Sequence, residues 1–244
     1  GVKTFQQAQM EGGLFTMSRL ESLEKNGDGF AGTDVNGISY SASCAIVATG
    51  RVPIKLPGPH SDAKGVNFCS VCDGPLFRGK DATLAVVGSD NAAAQHALTL
   101  SLIAHKVVLI YRSRELMMDA VHQERIAARD NIDLMPETEV TGYVGLDLVE
   151  GLEIAVPSGG TETLPVDGVF LAIGWSPNTE MIKLPVETID GGYLRTDEKL
   201  MTSIPGMFAA GDVRDTDLYQ VLTGCADGAR CVLNAAEFIK RSQG

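Results

Sequence analysis

Two rhythms of apolar and polar positions run along the chain, and they divide it. "LFTMSRLESL" (14–23) and "GFAGTDVNGISYSASCAIVATG" (29–50) alternate apolar and polar residues between Gly, Asn and Asp turn signals. That period of two predicts a small antiparallel meander closing with a buried strand, "CAIVATG". "RVPIKLPGPH" then carries three prolines, which break regular structure and predict a hinge or domain crossing.

Past Lys80 the rhythm changes. "DATLAVVGS" reads as a buried strand, "NAAAQHALTLSLIA" as a helix and "KVVLIYRS" as another buried strand. This β-α-β unit predicts a parallel sheet with a right-handed crossover. "AVHQERIAARD" is helical, and "IDLMPETEVTGYVG", "GLEIAVPS" and "VDGVFLAIG" are strands. "GWSPNTE" reads as a second crossing. The end, "GMFAAGDVRD" and "LYQVLTGCADGARCVLNAAEFIKRS", is a buried strand, a loop and a long helix.

Composition narrows the classes. With 44% apolar and 21% charged residues, the chain reads as soluble and globular. Twenty Lys+Arg against 31 Asp+Glu give a net charge of −11, which argues against nucleic acid as a partner. No apolar run approaches the ~20 residues that span a bilayer, so no membrane role is expected. Five cysteines, an odd number with one close pair, do not make a secreted disulfide framework; the expected location is cytoplasmic.

The close pair is Cys69 and Cys72 in "NFCSVCDGPLFRGK". It is open to three readings: half of a metal site, a structural pair, or a dithiol that opens and closes in turnover. Zinc requires a second ligand pair. Cys225 and Cys231 stand six apart on a predicted helix, and the four histidines are scattered. Two residues between the cysteines permit a disulfide ring in which one thiolate is exposed and the other resolves mixed disulfides, which favours the redox reading. Cys44 and Cys231 read as small core residues. His60, His96, His105 and His122 have no partner that the sequence identifies.

The ordered set "IVATG", "CSVCDG", "AVVGSDNAAA", "AIGWSPNT", "SIPGMFAAGDV" and "YQVLTGCADG" resembles the low-molecular-weight thioredoxin reductases over nearly the whole chain. These are flavoproteins of the pyridine-nucleotide disulfide oxidoreductase class. The resemblance implies an α/β fold of two Rossmann-like, three-layer domains of the FAD/NAD(P)-binding type. Residues 1–53 and 177–244 would form the FAD domain, incomplete at its N-terminus, and 54–176 the NAD(P)H-like domain that carries the CxxC. It further implies a flavin-dependent disulfide reductase, a homodimer, that reduces a thioredoxin-like protein. Cys72 would be the flavin-side sulfur, Cys69 the one that attacks the partner's disulfide, and Asp73 the general acid/base. A rotation about 51–58 and 174–178 would let the dithiol serve both. The rivals are the flavoprotein component of a peroxide-reducing system, and a non-catalytic, truncated paralogue acting as a binding module.

For FAD the resemblance implies Thr49 and Gly50 at the crossing strand, Gly211 and Asp212 against the ribityl chain, and Gln220 and Val221 opening the last helix, whose N-terminus favours negative charge. The family's GxGxxG strand is missing from residues 1–50, so the chain as written is expected to hold FAD poorly. The pyridine-nucleotide site departs from its pattern too. Gly88 and Ala93 fit the first and third fingerprint positions, but Asp90 stands at the second, where a like charge ~4 Å from phosphate costs ~1 kcal/mol even in water. Of the NADPH-binding His-Arg-Arg cluster only Arg112 is in register, beside Tyr111 and Ser113. NADPH use is therefore in doubt, and ferredoxin or another electron donor is the alternative.

Overall fold

The computed structural model describes residues 2–242. By its contacts the chain forms two compact units, residues 2–52 with 176–242, and residues 53–175. The first begins with helix α1 (Val2–Met10) and strands β1 (Leu20–Asn26), β2 (Gly29–Asp34) and β3 (Ser39–Ala42). The strands form an antiparallel sheet in the order β1-β2-β3. Burial alternates along β2, with Phe30, Gly32 and Asp34 inward, which is the period of two that the sequence carries.

Two details differ from the sequence reading. Pairing starts at Leu20; Leu14 and Met17, read as strand, lie exposed. "CAIVATG" does not close the meander either. Its strand β4 (Ala45–Val47) leaves the meander and pairs in parallel with Met207–Ala209, far along the chain. Alternation reports which side chains are buried, not which strand accepts the hydrogen bonds.

The crossing strand β5 (Arg51–Pro53) leads into the second unit. There follow β6 (Val66–Asn67), α2 (Ser70–Asp73), β7 (Thr83–Val87), α3 (Asn91–Leu100), β8 (Lys106–Ile110), α4 (Ala120–Ala127) and β9 (Ile132–Met135). After them come β10 (Glu139–Val144), β11 (Gly151–Ala155), β12 (Thr161–Pro165) and β13 (Gly168–Leu171). A five-stranded parallel sheet runs β6-β13-β7-β8-β9, and β10-β11-β12 form an antiparallel sheet. Strand β12 escaped the sequence reading because "TETLP" is nearly all exposed and carries no apolar run. Helix α3 stops at Leu100, short of the predicted 104, where the Asn131 side chain donates to the carbonyls of Ser101 and Ala104.

The parallel strands are buried on both faces, and alternate residues enter separate cores. Leu84, Val86, Val107 and Leu109 pack with Ala93, Ala97 and Leu100 of α3 and Ile126 of α4. Ala85, Val87, Val108 and Ile110 pack instead with Val140, Leu152 and Ile154 of the antiparallel sheet. The result is three layers. Each fully buried Leu, Val or Ile contributes about 1.5–3 kcal/mol, so the continuous apolar runs are what this double burial requires.

The chain re-enters the first unit through β14 (Trp175–Pro177), which pairs with β5. It ends in β15 (Met207–Ala209) and the long α5 (Val221–Ser242). Val47, Met207 and Ala209 join Leu23 and Phe30 in one core, while Phe208 and Ala210 face Cys231 and Ala235 of α5. No described helix is long and apolar enough to cross a membrane.

Candidate functional site

Cys69 and Cys72 are joined in a disulfide, with their Cα atoms 5.3 Å apart. The bond leaves neither sulfur as a thiolate ligand for a metal. The pair is built on one turn of helix. Cys69 is the N-cap of α2 in extended conformation, and its Sγ accepts the Cys72 N–H at 3.1 Å. Asp73 closes the turn, its N–H donating to the Cys69 carbonyl at 3.0 Å. Cys72 and Val71 are exposed, Cys69 and Asp73 half-buried, and Ser70 buried. Behind the turn, Gly74 has Leu100 and Ile103 so near that an added Cβ would crowd both. His96, for which the sequence offered no partner, belongs here: its Nδ1 accepts the Ser70 N–H at 3.2 Å. It lies 26 positions away on α3, so no local pattern could have found it.

A second group forms in the other unit, beyond the carboxyl ends of the adjacent parallel strands β4 and β15. Thr49 and Gly50 follow β4, and Gly211 and Asp212 follow β15. The Thr49 hydroxyl donates to the Asn178 carbonyl at 2.6 Å, and the Asn178 N–H donates to the Gly50 carbonyl. Arg51 Nε lies 3.4 Å from Asp212 Oδ2, and its guanidinium stacks 3.8 Å from the Tyr219 ring centroid. Burial, then the neighbouring Tyr193, raises the Tyr219 pKa, so its phenol stays neutral. Gln220 and Val221 follow at the start of α5, both exposed.

Gly211 has φ +73°, a left-handed conformation that glycine adopts without strain. Its loop is clamped from behind. Asp227 Oδ2 on α5 accepts both the Gly211 N–H and the Arg214 guanidinium, each at 3.2 Å. Arg51, Tyr219 and Asp227 were not singled out from the sequence; their roles depend on which strand ends meet. Cys231 is wholly buried, and burial first and the Asp227 charge second push its thiol up to about 11, which makes it inert.

The carboxylate of Asp212 suits ribityl hydroxyls, the Tyr219 ring suits a flat aromatic heterocycle, and the Arg51 cation suits the negative charge that a reduced isoalloxazine carries. The residues present therefore fit the flavin end of FAD. No Gly-rich strand-to-helix turn stands among this unit's described residues, so they do not supply a seat for the pyrophosphate.

At the other parallel sheet, Gly88 follows β7. A Cβ there would sit 2.3 Å from the Ala172 carbonyl oxygen, so the strand packing itself requires glycine. Asp90 is the N-cap of α3, its Oδ1 accepting the Ala93 N–H at 3.0 Å. The carboxylate thus fills the helix N-terminus that a pyrophosphate would use. Beside it Asn91 bonds Asp119 in both directions, and the Met117 N–H donates to the Ser89 carbonyl. Arg112 is 80% exposed and 3.7 Å from Glu139, an ion pair of little strength.

Known proteins resemble this chain in sequence and fold. The family model described as pyridine nucleotide-disulphide oxidoreductase matches residues 7–229. An alkyl hydroperoxide reductase subunit of Staphylococcus aureus is 37% identical over 228 residues, 92% of this chain and 45% of that protein. The same-named protein of Staphylococcus epidermidis is 34% identical over 239 residues, 96% and 47% of the two. The chain therefore spans about half the length of the curated relatives it matches. Thioredoxin reductase from Streptococcus pyogenes superposes with a TM-score of 0.71 at 31% identity, covering 98% of this chain and 79% of that one. The Lactococcus lactis thioredoxin reductase gives 0.72 at 27% identity, over 92% and 75%.

Proposed function

The chain belongs to the pyridine nucleotide-disulphide oxidoreductase family, and from that premise we propose that it is a flavin-dependent disulfide reductase. The pair Cys69–Cys72 passes two electrons to a disulfide on a thioredoxin-like protein. What carries the reading is the disulfide closed across one exposed helical turn, with a backbone donor already aimed at Cys69 Sγ. Bound FAD, held through Thr49, Gly50, Gly211, Asp212, Arg51 and the Tyr219–Val221 segment, would supply the electron pair that opens this disulfide.

The rest is work for the chain's own residues. Once the pair is open, the Cys72 N–H stabilises a thiolate on Cys69 more than a thiol, because a hydrogen bond to an ion is the stronger one. Cys69 Sγ attacks one sulfur of the partner's disulfide; a mixed disulfide forms, the partner's other sulfur leaves as a thiolate, and Asp73 takes the Cys72 thiol proton and passes it to that thiolate. The Cys72 thiolate then attacks Cys69 Sγ. This re-forms the pair and releases the partner's second thiol. Cys72 faces the flavin in this cycle and Cys69 the protein substrate.

The electron donor is the point where this chain departs from its family's name. Asp90 occupies the α3 N-terminus, and Arg112 stands out in solvent. The proposal is therefore weak NADPH use and supply by ferredoxin or another donor. The cycle extends to a homodimer working in the cytoplasm. A second reading keeps the dithiol and changes its partner: the flavoprotein component of a peroxide-reducing system. The 37% identity to the staphylococcal alkyl hydroperoxide reductase protein favours it.

The test uses the full chain in excess FAD under anaerobic conditions, titrated with reduced ferredoxin or NADPH, with a thioredoxin or a peroxide-reducing disulfide protein as acceptor. Thiols should appear on one acceptor with ferredoxin and far more slowly with NADPH. Bleaching by NADPH within seconds would overturn the donor assignment. Undiminished acceptor reduction by Cys72→Ser would overturn the dithiol cycle.

A further inference from the structure

One turn of helix offers several N–H groups and few acceptors of its own. In α2, the Cys72 N–H goes to Cys69 Sγ and the Asp73 N–H to the Cys69 carbonyl. The Ser70 N–H, on a buried residue between the two cysteines, goes outside the turn, to His96 Nδ1 on α3. His96 is half-buried, on the helix face next to Ala93, Ala97 and Leu100, with its ring 6.4 Å from that of Phe170. To accept at Nδ1 the imidazole must be neutral, with its proton on Nε2. Burial favours that neutral form, and Asp90 at the start of the same helix only partly opposes it.

We propose that His96 is a positioning residue for the dithiol: by accepting the Ser70 N–H it anchors the closed loop to α3 and biases the pair toward the disulfide. The inference rests on the reading of Cys69–Cys72 as a working redox pair. Histidine does here what the sheet cannot. The loop sits past the end of edge strand β6, where no ladder continues, and a side chain from the packed helix supplies the missing acceptor. Opening the disulfide removes the covalent tie that fixes Ser70 against α3, so the bond to His96 is held less tightly even where the Cys72 N–H stays on the Cys69 sulfur. The anchor thus belongs to the oxidised state, and its removal should make the disulfide easier to reduce.

The experiment is an equilibrium of the full chain with glutathione: protein dithiol plus oxidised glutathione gives protein disulfide plus two reduced glutathiones. The free Cys69 and Cys72 are alkylated and quantified on their peptide, so the other three cysteines do not interfere. His96→Phe keeps a ring and deletes the acceptor; its equilibrium constant for the disulfide should fall about tenfold. His96→Asn puts an amide oxygen near the place of Nδ1 and should recover to within about threefold of the parent. A folded His96→Phe that matches the parent overturns the proposal while leaving the redox reading intact. His96→Asn as weak as His96→Phe also overturns it, since the loss would then come from packing. A parent whose pair does not open in any glutathione ratio sinks both readings together. Should His96→Phe not fold, nitrogen NMR of the parent decides instead. Nδ1 unprotonated and Nε2 protonated supports the anchor, and the opposite tautomer overturns it.

Discussion

A single carboxylate, Asp227, holds the loop that carries Gly211 and Asp212. Its Oδ2 accepts from the Gly211 N–H and from Arg214, and the Asp227 and Arg214 side chains are only 10% and 16% exposed. Asp227→Ala leaves the Arg214 cation buried without that partner, a loss of about 3–5 kcal/mol. The urea midpoint should drop accordingly, and FAD retention should fall with it; an unchanged midpoint would show that the clamp contributes nothing to stability. His96 gives a second handle at this scale, through pH. Its folded pKa lies below the ordinary 6.5, chiefly because of burial. The unfolded chain therefore takes up the proton first. The His96 contribution is full above 6.5 and declines as pH falls from there toward the folded value, because over that window only the unfolded chain gains the proton. A series of urea midpoints over this window should slope downward with acid for the parent and more gently for His96→Asn.

Among the elements, α3 is the one whose beginning bears on the proposed weak NADPH use. In a nucleotide-binding domain the first turn of this helix stays open for a pyrophosphate. Here Asp90 caps that turn with its own carboxylate, which stabilises the helix. Asp90→Gly should cost about 1 kcal/mol of stability through the lost cap. The same change removes the negative charge and opens the fingerprint, so NADPH binding, followed by calorimetry, should strengthen. If affinity stays flat, the obstacle lies elsewhere, with the 113–119 segment that Asn91 and Ser89 hold over the helix start. The antiparallel strands β10–β12 show a different logic: they cover one face of the parallel sheet and bring none of the candidate residues with them.

For the whole molecule, the second unit is continuous in sequence and has two hydrophobic cores entirely its own, one on each face of its sheet. It also contains both cysteines and His96. Residues 53–175 expressed alone should therefore fold, unfold cooperatively in urea and form the Cys69–Cys72 disulfide. A fragment with collapsed, poorly dispersed NMR signals would refute that independence. The first unit is discontinuous, and its parallel pair β4–β15 joins residues far apart in the chain, Ala45 with Met207. It should not form from residues 2–52 alone.

Local sequence determined a good deal here. The short, Val-rich apolar runs in β7, β8 and β13, bounded by turn signals, fit strands buried on both faces, and the alternation around β2 fits a half-buried sheet. The spacing of Cys69 and Cys72 already permitted a ring, and the motif order already carried the family. Tertiary structure decided the rest, because each remaining feature depends on where distant segments meet. It took β4 out of the meander, gave the Ser70 N–H to His96, set Arg51 against Asp212 and Tyr219, and turned Asp90 from a misplaced charge into a helix cap. Hydrophobic pattern specifies which side of an element is buried, whereas hydrogen-bond partners and ion pairs are chosen only once the elements have packed.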